Sequence, residues 1–559
     1  MMERENLVAV NPLRQVDLSK IEPKKVTLVA CPWTFYDAVE FRSQQLGLGY
    51  VGAYAEQFGH QVVAFIDPMV KGGDQRKVPF NTKYQWTNRF GLSDEEIVDQ
   101  IPRDTDVIGI NAPFTDSRLV LYPLTKAIKA KFPRIPVVIG GVLATTLPQQ
   151  VIEESGADIV VKGEGEIAFA RILNGESLEQ IPGIVYRDPH GEVKENSGRS
   201  EQLRTVDEIP PPGYGFRPMD EYVIWAPRGD KADRTLSLIS SRGCPFQCEF
   251  CSIPEKGQAW RPFTPERVLD EVKMAIEKWG VNHIEFEDDN FTLRESRALV
   301  VLKYLADLRK QGYPMTCSFP NGVMIDRMSR ELAFLMKDAG ADIVYLPVES
   351  GDTRVLISMN KPNAEGHLDS TRKVAKWCVE AGLRVSSFFI VAYPGGRVVR
   401  KELMDLPEYE AFYIREPDGS VWMRGEDEQA FETTLNFCKE LRSIGVHGIT
   451  PLIATPYPGT ELYFVCERFG WLVFPDEKNV LTTVSYSNVR PDYVQIATPW
   501  CSRKEAYGRW TTMMQMFQTF HNVRKFEEDA TVEHPLTGSE VRDRLTKRGV
   551  DVDLLKLTP

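Results

Sequence analysis

Leu236-Ser237-Leu238-Ile239-Ser240-Ser241-Arg242-Gly243-Cys244-Pro245-Phe246-Gln247-Cys248-Glu249-Phe250-Cys251 holds the deciding pattern: a short apolar run, a glycine turn, then three cysteines spaced C-x3-C-x2-C. With nine cysteines in 559 residues, chance would place such a triplet roughly 0.002 times per chain. A closed zinc site takes four ligands, and no second Cys-x-x-Cys or His pair follows nearby to complete one. A [4Fe–4S] cluster held by three cysteines instead keeps one iron open for a small molecule. The alternatives are a reduced zinc knuckle or three unrelated core cysteines. The other six (Cys31, Cys317, Cys378, Cys438, Cys466, Cys501) stand singly and fit buried thiols.

Outward from this run, strands are expected at 236–240, 283–288, 315–319, 342–348, 384–391 and 447–454, with helices between them. The helix after Thr264 shows why. Thr264 can cap it, Pro265 suits its first turn, and Val268, Leu269, Val272, Ala275, Ile276 and Trp279 form one stripe before Gly280 ends it. Six such units imply a partial (β/α)6 barrel, with the cysteines in the loop after its first strand, on the face where barrel active sites lie. Upstream, Val26–Ala30, Gln61–Asp67, Asp106–Ile110, Pro136–Gly140 and Asp158–Lys162 are expected as buried parallel strands. Helices expected at 46–59, 93–101, 117–132 and 147–155 make this an α/β doubly wound, Rossmann-like sheet. The expected domains are 1–187, a turn-rich linker 188–235, the barrel at 236–470 and a C-terminal mixed or helical region 471–559, with a helix at 503–523. The link 396–425 is unusually long and holds Tyr409, Phe412, Tyr413 and Trp422, as a substrate-binding lid would.

Composition narrows the class. Hydrophobic residues at 42% and charged residues at 26% describe an ordinary globular chain. A net charge of −12 argues against a nucleic-acid or anionic-membrane surface. The start, Met1-Met2-Glu3-Arg4-Glu5-Asn6, has no apolar run, and no stretch approaches a bilayer span. Cysteines without a paired framework suit a reducing interior. The expectation is a cytoplasmic protein without nucleic-acid or membrane partners.

The cysteine spacing, with Phe250 just before the last thiol, resembles the radical S-adenosylmethionine (SAM) superfamily. That resemblance implies that SAM chelates the open iron and is cleaved to a 5′-deoxyadenosyl radical. It also implies that the strand-end motifs embrace SAM: Phe286-Glu-Asp-Asp-Asn-Phe-Thr292, Leu346-Pro-Val-Glu-Ser-Gly351, Phe388-Phe-Ile-Val-Ala-Tyr-Pro-Gly395 and Ile453-Ala-Thr-Pro-Tyr-Pro-Gly-Thr460. Phe250 would lie near the adenine, Glu349 near the ribose hydroxyls or amino group, and Ser387 near the carboxylate, with Asp288 and Asp289 close by.

The N-terminal half resembles the cobalamin-binding domain that precedes many radical SAM barrels. The resemblance rests on Leu46-Gly-Leu-Gly-Tyr-Val-Gly-Ala-Tyr-Ala-Glu-Gln-Phe-Gly-His60, Gly140-Gly141 and Val161-Lys-Gly-Glu-Gly-Glu166. The glycines would let backbone approach the ligand. No Asp-x-His-x-x-Gly run supplies a histidine for cobalt, and His60 is expected as a surface residue. The lower cobalt face would be water-ligated, vacant, or contacted by Thr115 or Ser117. Implied cobalamin contacts are thus Thr115, Ser117, Gly140, Gly141, Gly163 and Glu164. The whole order is similar to cobalamin-dependent (class B) radical SAM methyltransferases, nearest to those of phosphonate antibiotic pathways. It implies a [4Fe–4S] cluster, SAM and cobalamin, a small-molecule substrate, and a reductase or flavodoxin-type electron donor. The implied reaction carries a methyl group from SAM, via methylcobalamin, to an unactivated carbon of a biosynthetic intermediate. The alternatives are a cyclase, oxidase or rearrangement enzyme using the same cofactors, and a non-catalytic cobalamin sensor.

Overall fold

The computed structural model describes residues 7–8, 11–35, 44–70, 77–82, 85–222, 234–252, 259–473 and 494–517. The chain divides into two compact units. One comprises Met1–Pro245, Ser252–Asp289 and Tyr313–Met315; the other comprises Phe246–Cys251, Asn290–Gly312 and Thr316–Pro559.

In the first unit, β1 (Lys25–Val29), β2 (Gln61–Ile66), β3 (Val107–Asn111), β4 (Val137–Gly140) and β5 (Ile159–Val161) are parallel strands of one sheet. β6 (Ile184–Arg187) and β7 (Val193–Glu195) extend it antiparallel, giving the order β7-β6-β5-β4-β3-β1-β2. Those two strands fall at the end of the expected sheet region and inside the expected linker. Helices α1 (Leu46–Glu56), α2 (Asp94–Asp99), α3 (Arg118–Lys131), α4 (Pro148–Ser155) and α5 (Glu166–Leu173) alternate with the strands. Val26, Leu28, Val29, Ile108, Val137 and Ile139 are essentially inaccessible, as strands covered on both faces require. Two glycines of α1, Gly49 and Gly52, are needed for close packing. A methyl group on Gly52 would fall 2.7 Å from Leu28, and one on Gly49 would fall 2.6 Å from the Pro212 carbonyl.

His60 is a correction. It is 4% exposed, accepting the Lys24 N–H on Nδ1 at 3.2 Å and meeting Asn174 Oδ1 through Nε2 at 3.0 Å. With both ring nitrogens engaged the neutral imidazole can be buried, and burial lowers its pKa.

The second alternating series begins in this unit with β8 (Thr235–Leu238), α6 (Pro265–Trp279) and β9 (His283–Phe286), the two strands pairing parallel. As expected, Thr264 caps α6 by accepting the Arg267 N–H, and Gly280 ends it at φ 62°. The series continues in the second unit with β10 (Thr316–Ser318), β11 (Ile343–Glu349), β12 (Arg384–Val391) and β13 (Gly448–Ile453). The last three form a parallel sheet, and Cys317 bridges to Ala341 in parallel just before β11.

The long link 396–425 folds as a three-stranded antiparallel sheet of Gly395–Arg397, Tyr413–Arg415 and Val421–Arg424. Val398, Leu403, Val421 and Met423 are buried in the unit's core, with Tyr409, Phe412, Tyr413 and Trp422 packed beside them. Those aromatic rings are engaged in packing. The C-terminal helix (Arg503–Phe517) is tied to the unit through Arg509, which donates to the buried Glu426 carboxylate at 3.2 Å. The rest of the expected helix, 518–523, and the expected C-terminal region at 474–493 and 518–559 lie outside the described residues.

Candidate active site

The cysteine loop is fixed at its base and along its length. In the first unit, Ser241-Arg242 pairs antiparallel with Arg261-Pro262 and closes the run between them. Gly243 sits at φ 82°, where a methyl group would meet the Ala259 carbonyl at 2.7 Å. Asp288, at the end of β9, accepts the Ser240 N–H at 3.0 Å, the Ser240 hydroxyl at 2.8 Å and the Ser241 hydroxyl. In the second unit, Glu249 is 3% exposed between two of the cysteines. Its carboxylate accepts the Arg397 N–H at 2.9 Å, its N–H donates to the Met359 carbonyl and its carbonyl accepts from Leu462. No side chain fits at Gly396, where a Cβ would strike the Glu249 carboxylate.

Cys244, Cys248 and Cys251 are partly exposed, the other six cysteines are buried, and none of the nine is in a disulfide. Burial pushes Cys378 and Cys501 up to about 12 and raises Cys438 and Cys466 further. Those core thiols stay protonated, so the loop triplet is the set suited to ligate as thiolates. Among the described residues no three ligating side chains are gathered closely enough to hold a metal ion by themselves. The fit to a [4Fe–4S] cluster rests on donor type and on the sharing of one loop.

The strand ends sort the expected SAM contacts. Asp288 is engaged in holding the loop, while Glu285 on β9 and Glu287 and Asp289 just after it are the partly exposed side chains of an alternating run. Burial, then repulsion from Glu285, pushes Glu287 up to about 8, and burial with Asp288 pushes Asp289 up to about 6. Sequence reasoning missed Glu285 and Glu287, although the alternation along Glu285-Phe-Glu-Asp-Asp289 carried the signal. Glu349 is buried at φ 65°, a backbone conformation that stores strain in a non-glycine residue, and pairs with Lys361 Nζ at 2.8 Å. Phe250 packs edge-on against the buried Tyr393, with ring centroids 6.5 Å apart.

Ser387 is a correction. It lies on the fully buried face of β12 with Val385, Phe389 and Val391, and its hydroxyl has no hydrogen-bond partner. Phe388 and Ile390 are the partly open side chains, so the alternation of a strand puts Ser386 on their face, one residue before the expected serine.

At the N-terminal sheet, β3, β4 and β5 are parallel neighbours. Their carboxyl ends therefore carry Thr115 and Ser117, Gly140 and Gly141, and Gly163 and Glu164 to one edge, where open sheets bind ligands. Thr115 and Ser117 are buried. A Cβ on Gly140 would meet nothing, so the edge is open there. Gly141 at φ 104° and Gly163 at φ 94° need glycine, and the Gly163 N–H donates to Thr145 Oγ1 at 2.9 Å. The glycine turns and this open edge fit a large planar group approached by backbone. Glu164 is a correction, for its carboxylate is held by Arg261 and, at 3.4 Å, by Arg242. Burial would raise its pKa, but the two guanidiniums outweigh burial and lower it. Its carbonyl accepts the Ser200 hydroxyl as well, so Glu164 serves the packing of the edge.

Two family models match this chain: a B12 binding domain over residues 34–173 and the Radical SAM superfamily over residues 238–405. An uncharacterized methyltransferase of Pyrococcus horikoshii, PH0819, is 30% identical over 369 residues, 64% of this chain and 69% of that protein. The chain belongs to the radical SAM superfamily, in its branch with a B12-binding domain. The cytidylyl-2-hydroxyethylphosphonate methyltransferase of Streptomyces wedmorensis is 29% identical over 460 residues, 77% of this chain and 79% of that protein. The radical SAM methyltransferase TsrM of Kitasatospora setae, solved with cobalamin and a [4Fe–4S] cluster, matches in fold. Its TM-score is 0.55 at 16% identity, covering 80% of this chain and 78% of TsrM. The architecture is thus the expected one, an α/β chain with a B12-binding domain followed by a radical SAM domain. The family's cofactors are a [4Fe–4S] cluster, SAM and cobalamin.

Proposed function

We propose that this chain methylates an unactivated carbon of a small-molecule biosynthetic intermediate. The observation that carries this is the joint presence of the three-cysteine loop and the B12-binding edge on one chain. The names of the relatives support it. When bound, the cluster and SAM supply a radical that removes hydrogen from carbon, and cobalamin supplies the methyl carrier.

The chain's own residues then hold and orient. Cys244, Cys248 and Cys251 ligate iron, and Asp288 and Glu249 fix the backbone that presents them. Phe250, Asp289, Glu349 and Ser386 are assigned to SAM, Ser386 in place of Ser387. Asp289 and Glu287 hold protons more tightly than ordinary carboxyls, so this polar run carries less charge at neutral pH than its sequence suggests. Cobalamin is assigned to the Thr115–Ser117 turn, Gly140, Gly141 and Gly163, without a histidine below cobalt, because both nitrogens of His60 are engaged.

The electron comes from an external reductase or flavodoxin-type protein. No helix among the described residues is long and apolar enough to cross a membrane, and the acidic charge disfavours nucleic acid. A cytoplasmic location and the domain limits 236–470 and 471–559 belong to the same reading, with the first domain carried past 187 by β7. Reconstituted protein given SAM and dithionite should release 5′-deoxyadenosine. Cobalamin binding without SAM cleavage would make the chain a sensor instead.

A further inference from the structure

Helix Thr353–Ser358, in the second unit, ends in a turn whose residues face the cysteine loop. Asn360 takes the left-handed conformation at φ 51°, and the Lys361 N–H closes back onto the Leu356 carbonyl at 3.0 Å, a tight helix-ending turn. Its polar groups reach the loop on both sides of Cys248. Asn360 Nδ2 donates to the Gln247 carbonyl at 2.9 Å, and the Met359 carbonyl accepts the Glu249 N–H at 3.0 Å. Next to this clasp lies Lys361, 8% exposed and paired with the equally buried Glu349. Burial works against its positive charge. Glu349, with the neighbouring thiols, outweighs that penalty and raises its pKa, and Lys361 follows directly on the two residues that bond the loop backbone on either side of Cys248.

We propose that the Met359-Asn360-Lys361 turn is the seat of the cluster loop. It clasps the backbone around Cys248 and holds the Lys361 ammonium next to that clasp, where it favours the reduced, more negative cluster while Glu349 opposes it. The inference rests on the cluster assignment and adds to it a positioning residue, Lys361, that acts on the cluster through charge, with its partner Glu349, already assigned to SAM, acting in the opposite sense. The physical basis is charge. A cluster that gains one electron is stabilised by a nearby cation and destabilised by a nearby anion, and inside a protein such fields are poorly screened.

The test is a redox titration of the full-length protein, reconstituted anaerobically with iron and sulfide and kept free of SAM. A low-potential reductant with mediators supplies the electron, and electron paramagnetic resonance of the reduced cluster is the readout. Lys361→Met should retain about four irons per chain and titrate at a more negative midpoint than the wild type. Glu349→Gln should titrate at a more positive one. Opposite shifts at equal iron content mark an electrostatic role, since a merely structural role would lower iron content without moving the midpoint of the clusters that remain. An unmoved midpoint in iron-replete Lys361→Met overturns the proposal. Should that variant lose its iron, Glu349→Gln decides, and an unmoved or more negative midpoint there overturns it. Wild-type protein that binds no iron would overturn the cluster assignment itself.

Discussion

The cobalamin edge of the N-terminal sheet and the strand ends of the radical SAM domain are made of different materials. The edge offers the hydroxyls of Thr115 and Ser117 and the glycines at 140–141 and 163, and the Glu164 carboxylate beside it is neutralised by arginines. The radical SAM series carries Glu287 and Asp289 after β9, the buried pair of Glu349 and Lys361, and three thiols. A large group held by shape spreads its binding over many weak contacts. A compact charged group held by few ligands concentrates it, so single changes should be graver there.

The largest effect is expected from the thiols. Replacing Cys244, Cys248 and Cys251 together with alanine should remove all of the about four irons while leaving cobalamin binding intact. Iron–sulfur absorption that survives in this variant would break the contrast between the two sites. Next comes Asp288→Ala, which leaves one N–H and two hydroxyls without their acceptor in a buried place. A cost of about 3–5 kcal/mol is expected, measured as a lower unfolding midpoint together with faster loss of iron. A midpoint like that of the wild type would show that the loop does not depend on this carboxylate.

The protonation of Glu287 gives a smaller effect. Folded Glu287 keeps its proton up to about pH 8, whereas its unfolded counterpart releases it near 4.5. Over that window the folded chain binds more protons, so the contribution to stability is fully present below pH 4.5 and is lost as pH rises toward 8. The difference should be on the order of a few kcal/mol. Cofactor-free protein should therefore melt at falling temperature from pH 5 to 8, with a clearly shallower fall in Glu287→Gln; parallel curves would contradict the raised pKa. The smallest effect is spectroscopic. Bound cob(II)alamin should show no nitrogen superhyperfine splitting from an axial base, and a three-line pattern would place a histidine below cobalt.

Much of this was legible in sequence because buried parallel strands are apolar runs bounded by glycine, proline or charge. β1 to β5 and the six strands of the second series lie where those runs stand, and α6 keeps both its caps. What escaped depended on partners far along the chain or on a slip of one residue. Arg261 meets Glu164 across 97 positions, and Asn174 meets His60 across 114. Neither pairing leaves a local pattern. Ser386 and Ser387 are alike in sequence, and only the strand's alternation separates them. The sheet at 395–424 hides among charged and aromatic residues because its core contacts come from distant elements such as Val355, Leu462 and Trp471. Lys361 stood unremarked after a short helix, its partner Glu349 lying 12 positions earlier on another element.

The central claim is that a methyl group moves intact from SAM to carbon. The direct measurement supplies SAM deuterated at its methyl group to the reconstituted holoenzyme with its native substrate, and weighs the product by mass spectrometry. The product should gain all three deuterons, with one S-adenosylhomocysteine and one 5′-deoxyadenosine formed per turnover. Substrate that changes while 5′-deoxyadenosine forms, yet carries no methyl-derived mass, would contradict methyl transfer and leave a cyclase, oxidase or rearrangement enzyme in its place.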